Sequence, residues 1–146
     1  MRLTSFTDYG LRVLMRMAGD PARAFTTAEL AAEFHVSRNH LAKVTSALAA
    51  AGLLETRRGG GGGAVLARRP EEIRLGDVVA LLETDQALVE CFAGSGNTCA
   101  LTPRCRLKLR LAQAEAAFVA DLTVSDNKCL RRCGVLWCLL WIWVSR

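Results

Sequence analysis

Three cysteines, Cys91, Cys99 and Cys105, fall in the stretch CFAGSGNTCALTPRC, with the spacing C-x7-C-x5-C. Thiolates are soft anionic donors, suited to zinc and to iron–sulfur clusters. A closed structural zinc site takes four nitrogen or sulfur ligands, and a disulfide framework takes an even number of thiols. Taken alone, the odd trio leaves three readings open: an iron–sulfur cluster, a zinc site completed from elsewhere, or plain redox thiols. Thr102 and Pro103 read as the N-cap and first position of a helix. That places Cys105 in the first turn, where unpaired N–H groups and partial positive charge favour a thiolate.

The elements that must carry this loop are readable from pattern. Thr4 caps a first helix, Thr4 to Ala18, with Phe6, Val13, Leu14 and Met17 as its apolar stripe. Thr26 with Glu29 reads as a capping box for a second helix, Thr27 to Phe34. His35-Val36 makes a short turn, and Ser37 caps a third helix, Arg38 to Ala51, stopped by Gly52. Leu41, Val44, Leu48 and Ala51 face inward; Arg38, Asn39, Lys43 and Ser46 fall outside that stripe. Strands at Leu53–Arg57 and Ala64–Ala67 flank five glycines and form a hairpin. Two helices joined by a tight turn, then a hairpin, make a winged helix-turn-helix. A fourth helix spans Leu75 to Glu83. On the last helix Leu107, Leu111, Ala114, Phe118 and Leu122 form a stripe that calls for a partner surface, best met by a second copy. The expected fold is mainly α with a small β wing: a winged helix-turn-helix over 1–70, then a cysteine loop and dimerisation helix over 71–125. Residues 126–146 form a Cys/Trp-rich tail of different character, the kind of break that an altered reading frame produces.

Composition narrows the function. Residues 1–69 hold ten Lys/Arg against five Asp/Glu, whereas residues 70–146 hold nine of each. The whole net charge of +5 therefore sits in the first half, as suits a nucleic-acid-binding region. The N-terminus lacks the apolar core of a signal peptide, and no apolar run is long enough for a membrane span. A cytoplasmic protein with reduced thiols is expected. No nucleophile, base and oxyanion arrangement is visible, so an enzyme is not expected.

MRLTSFTDYGLRVLMRMA, VSRNHLAKV, the wing RRGGGGG, IRLGDVV and CALTPRCRLK together resemble the NsrR-type nitric-oxide-responsive repressors, of the winged-helix iron–sulfur family that includes IscR. The resemblance covers residues 1 to about 125, in order and in spacing. It implies a homodimer with a [4Fe–4S] cluster in each subunit, [2Fe–2S] being the alternative. The implied ligands are Cys91, Cys99 and Cys105, with Asp8 of the partner subunit as the fourth. IscR relatives carry a histidine three residues after the last cysteine; this chain has Lys108, which favours the NsrR type. The family's first gap is about five residues, against seven here, and the Gly-Ser-Gly-Asn content should absorb the excess. Arg12 is expected to support the cluster. The residues alone also allow Asp8 to be simply the i,i+4 ion-pair partner of Arg12. Cys129, Cys133 and Cys138 have no family counterparts and are given no ligand role.

The third helix should enter the major groove, with Arg38, Asn39, His40 and Lys43 at base edges or phosphates and Ser37 as cap. Arg57 and Arg58 of the wing should approach the minor groove or backbone. A two-fold dimer implies a pseudo-palindromic double-stranded operator, with nitric oxide as the signal and no membrane partner. A related redox or cluster-supply sensor is the nearest alternative. An electron-transfer iron–sulfur protein is a more distant one, since it needs neither a wing nor a basic reading helix.

Overall fold

The structure, a computed structural model, describes residues 3–57, 59, 62–84, 87–124 and 130. The tail, apart from Leu130, and Arg58 lie outside the described residues. Five α-helices and one hairpin are present among those described: α1 Ser5–Ala18, α2 Thr27–Glu33, α3 Arg38–Ala50, β1 Leu54–Arg57, β2 Gly63–Leu66, α4 Leu75–Leu82 and α5 Arg106–Val124. The winged helix-turn-helix and the long last helix are thus as the pattern implies, with most element ends shifted by a residue or two and the start of the last helix by three.

The caps explain why the first three helices begin where they do. Thr4, Thr26 and Ser37 each accept a hydrogen bond from the backbone N–H three residues on, at 3.1–3.2 Å. Of the box expected at Thr26, the hydroxyl half is present; the Glu29 carboxylate engages Arg23.

The stops of α2 and α3 share one motif. After α3, the Leu53 N–H reaches the Leu48 carbonyl and the Gly52 N–H reaches Ala49, with Gly52 at φ 68°. After α2, the Val36 N–H reaches Ala31 and the His35 N–H reaches Ala32, with His35 at φ 53°. Both are Schellman endings. Glycine meets the left-handed requirement freely at 52, whereas His35 holds the same conformation with a side chain. That turn sets the angle between the two helices of the DNA-binding motif.

The core is built from the inward stripes of these helices. Val13, Leu14, Met17, Leu30, Leu41, Val44 and Leu48 are buried together with Phe25, Ile73 and Val78. Leu130 is buried in the same cluster. β1 and β2 pair antiparallel, Leu54 opposite Leu66 and Arg57 opposite Gly63. Phe25 extends this sheet by a bridge to Ala64, with backbone bonds of 2.9 and 2.8 Å. The wing is therefore tied to the segment between α1 and α2. The guanidinium groups of Arg16 and Arg23 each lie over the Phe25 ring, 4.7 Å from its centre. Arg16 also pairs with Glu33 at 2.7 Å, both side chains 6% exposed. One buried ion pair thus joins α1 to α2 beside the root of the wing.

α5 packs on α4 through a close approach at Gly76. A Cβ there would overlap the Thr123 hydroxyl and the Val119 carbonyl. The face of α5 on α4 carries Val119 and Thr123, while Leu107 (63% exposed) and Phe118 (36%) stay uncovered within one chain. Leu111 and Leu122 are half-buried at the edge between the two faces.

Candidate functional site

Two sets of residues stand out. The first is the outer face of α3. Arg38, Asn39 and Lys43 are exposed there, and Ser37 is exposed as the helix cap. Arg57, at the end of β1, is exposed as well. His40 is placed differently from its helix neighbours. Its ring packs on α1, edge-to-face with Tyr9 at 5.4 Å and tilted against Phe6 at 6.2 Å. Its Nε2 is shielded from solvent and has no hydrogen-bond partner among the described residues. Helical geometry gives the reason: residue 40 lies one step before the buried Leu41 and four before Val44, on the flank nearest α1.

Asp8 sits on the same helix as Tyr9. Its carboxylate meets Arg12 at 2.8 Å, with side-chain exposures of 49% and 41%. Arg12 in turn lies over the Tyr9 ring, 5.5 Å from its centre. Asp8, Arg12, Tyr9 and His40 therefore form a chain of contacts from the surface of α1 to the first turn of α3. The start of α1 is anchored from another side as well. Glu83, at the end of α4, accepts the Thr4 N–H at 2.8 Å and the Thr4 hydroxyl at 2.9 Å. Burial works against the Glu83 carboxylate, but hydrogen bonds from Thr7 and Thr4 outweigh it and hold its pKa below the ordinary value.

The second set is the cysteine loop. Cys91 and Cys105 are half-buried, Cys99 is exposed, and all three thiols are free. Thr102–Arg104 forms a 3-10 turn, and α5 begins only at Arg106. The helix that Thr102 and Pro103 were expected to open thus starts later. Cys105 has extended backbone, φ −77° and ψ 105°, and its Sγ accepts the Lys108 N–H at 3.4 Å. It plays the part of an N-cap rather than a first-turn residue, which leaves its thiol directly at the positive end of α5.

The loop is wired by side chains that spacing did not single out. Glu90 accepts both the N–H and the hydroxyl of Thr98, at 2.6 and 2.9 Å. These two bonds lower the Glu90 pKa. Asn97 accepts the Cys99 N–H at 3.1 Å and donates to the Thr102 hydroxyl at 3.0 Å, while the Thr102 N–H reaches the Cys99 carbonyl at 3.2 Å. An Asn two residues before Cys99 carries a turn signal; the Glu90–Thr98 contact has no local signature.

Among the described residues, no three His, Cys, Asp or Glu side chains converge as a metal-ligand cluster. No helix among them is long and apolar enough to cross a membrane.

Comparison with known proteins places this architecture. The Rrf2 family, described as iron-dependent transcriptional regulators, matches residues 3–125. The HTH-type transcriptional regulator NsrR of Shouchella clausii (strain KSM-K16) is 46% identical over 130 residues, 86% of this chain and 87% of that protein. NsrR of Bacillus subtilis (strain 168) is 42% identical over 123 residues, 84% of each chain. Among solved structures, CymR of B. subtilis, the global cysteine regulator, superposes with a TM-score of 0.65 at 25% identity, over 90% of this chain and 97% of that one. IscR of T. potens shares the fold, with a TM-score of 0.68 at 20% identity over 87% of this chain and 83% of that one. The chain belongs to the Rrf2 family and is a DNA-binding transcriptional regulator of the NsrR type, not an enzyme.

Proposed function

We propose that this chain is a homodimeric, cytoplasmic repressor whose grip on a pseudo-palindromic operator is set by a [4Fe–4S] cluster sensitive to nitric oxide. The observation that carries the reading is the loop of three free thiols ending at the start of α5. The donor set fits the group: three soft sulfur donors on one loop, one of them at a helix N-terminus that offsets anionic charge. Cys91, Cys99 and Cys105 would hold it, with Asp8 of the partner subunit as the oxygen donor. The half-exposed Asp8 carboxylate on α1 is compatible with that part. Bound there, such a cluster supplies iron that nitric oxide attacks.

This chain's own residues do the rest. Asp8 is held by Arg12, Arg12 covers Tyr9, and Tyr9 packs on His40 at the start of α3. A pull on Asp8 is therefore felt at the helix that carries Arg38, Asn39 and Lys43. These three meet base edges and phosphates, with Ser37 fixing the helix start and Arg57 and Arg58 steadying the wing on the backbone. His40 supports this face from behind. The uncovered Leu107 and Phe118 on α5 supply an apolar face for the second copy.

The deciding experiment uses anaerobically purified protein. Iron and sulfide are quantified, nitric oxide is added stepwise, and operator binding is followed on the same sample. The expected result is loss of visible iron–sulfur absorbance in step with loss of operator affinity. Cys99→Ala should lack the chromophore. Colourless, iron-free protein that still releases its operator in response to the gas overturns the reading.

A further inference from the structure

The seven-residue gap between Cys91 and Cys99 is closed by a contact between the residues that precede them. Glu90 and Thr98 are separated by eight positions, a span that an extended chain could stretch to roughly 25 Å. Here one carboxylate oxygen takes both the N–H and the O–H of Thr98. The shorter bond, from the N–H, is 2.6 Å. Cys91 and Cys99 each follow directly on a clamped residue, so the clamp limits how far apart their backbones can lie. Cys99 is fixed further by Asn97 on its N–H and Thr102 on its carbonyl. The intervening Ala93 to Asn97 are all exposed and loop outward.

We propose that Glu90 is a positioning residue: with Thr98 it draws the exposed loop closed and holds Cys91 and Cys99 as a preformed thiol pair before any metal is bound. The inference rests on the cysteine trio being the ligand set. It assigns Glu90 no bond to metal. The clamp removes entropy that the open loop would otherwise lose on chelation. On this reading a gap longer than the expected one need not carry its thiols farther apart.

The test uses the full chain with Cys105, Cys129, Cys133 and Cys138 replaced by serine, reduced and metal-free, so that only the pair remains. The probe is phenylarsine oxide, which joins two thiols through arsenic; both thiol protons leave with the arsenoxide oxygen as water. Glu90→Ala, which removes both bonds, should weaken arsenical binding about tenfold, the scale of one or two net hydrogen bonds, and Thr98→Val, which removes only the hydroxyl bond and keeps the N–H one, should weaken it less. Their combination should be no weaker than Glu90→Ala alone, because losing the carboxylate already removes both bonds. Glu90→Gln, which keeps an acceptor oxygen, and Thr98→Ser, which keeps the hydroxyl, should restore most of the binding. Far-UV circular dichroism is expected to match the parent in every variant, since the loop lies outside the core. Unchanged affinity in Glu90→Ala, or a double variant weaker than Glu90→Ala alone, overturns the clamp. Iron loading of the parent chain is measured separately. A chain that takes up no iron yet shows the tenfold loss in Glu90→Ala retires the cluster reading and keeps the clamp. One that loads iron and shows no losses does the reverse.

Discussion

Replacing Asp8 by alanine separates a structural carboxylate from a ligand. In the structure its visible contact is the 2.8 Å pair with Arg12, both side chains roughly half exposed. An exposed i,i+4 pair contributes about 0.3–0.5 kcal/mol. A negative charge in the first turn of a helix adds roughly 0.3–1 kcal/mol. Alanine's better helix propensity returns a few tenths of a kcal/mol. The net loss in the metal-free protein is therefore about 1 kcal/mol or less, a fall in melting temperature of roughly 2–4 °C for a chain of this size. The buried side of α1, with Val13, Leu14 and Met17, is untouched. Arg12→Ala removes the same ion pair and keeps the carboxylate. If Asp8 is only a surface partner, the two variants behave alike in the spectra and bleaching of the loaded dimer. If it is a ligand, Asp8→Ala alone changes the visible absorbance and circular dichroism of the loaded dimer and the rate at which nitric oxide bleaches it. Thermal unfolding of the metal-free proteins and anaerobic spectroscopy of the loaded ones make the comparison. Identical spectra and bleaching rates in Asp8→Ala and Arg12→Ala would refute the ligand assignment.

Arg38→Ala should weaken operator binding by about 1–3 kcal/mol at fixed salt and relax sequence choice; a uniform loss across operator variants would mark a phosphate contact instead. Glu33→Ala leaves the Arg16 charge buried beside Phe25 without its carboxylate. A loss of about 3–5 kcal/mol in urea unfolding is expected, and one below about 1 kcal/mol would show that the pair is not a structural tie. Glu83 has a folded pKa below its ordinary 4.5, because the hydrogen bonds from Thr7 and Thr4 outweigh the burial that opposes its charge. Its contribution is therefore full above the unfolded value and is lost as pH falls through the folded one. Glu83→Gln should flatten the acid limb of the stability–pH curve below pH 4.5 and leave the limb near neutrality unchanged in slope.

The residues that meet near neighbours along the chain were legible in advance. Thr4, Thr26 and Ser37 cap their helices because a hydroxyl at that position reaches an N–H three residues on, a relation contained in local sequence. The same holds for the stripe Leu41, Val44 and Leu48, for Gly52 at the end of α3, and for the Asp8–Arg12 pair. Pro103 misled, because Pro also suits a 3-10 turn; Cys105 takes an extended backbone after that turn, and the helix waits for Arg106. Exposure of Arg38, Asn39 and Lys43 follows from helical period, but the placement of His40 does not. A residue on the flank of a stripe turns inward or outward according to which helix lies beside it, and here α1 offers Tyr9 and Phe6.

Sequence alone determined the order of elements, the charge asymmetry that favours nucleic acid, and the thiol-bearing loop, because each rests on residue type and near spacing. Tertiary structure decided which distant side chains meet: Thr4 with Glu83, Arg16 with Glu33, Tyr9 with His40, and Glu90 with Thr98. Such pairs form only once helix crossings and loop closure have brought their backbones together, and hydrophobic burial, which drives that packing, is non-directional and carries no label of which polar partners it will bring into reach.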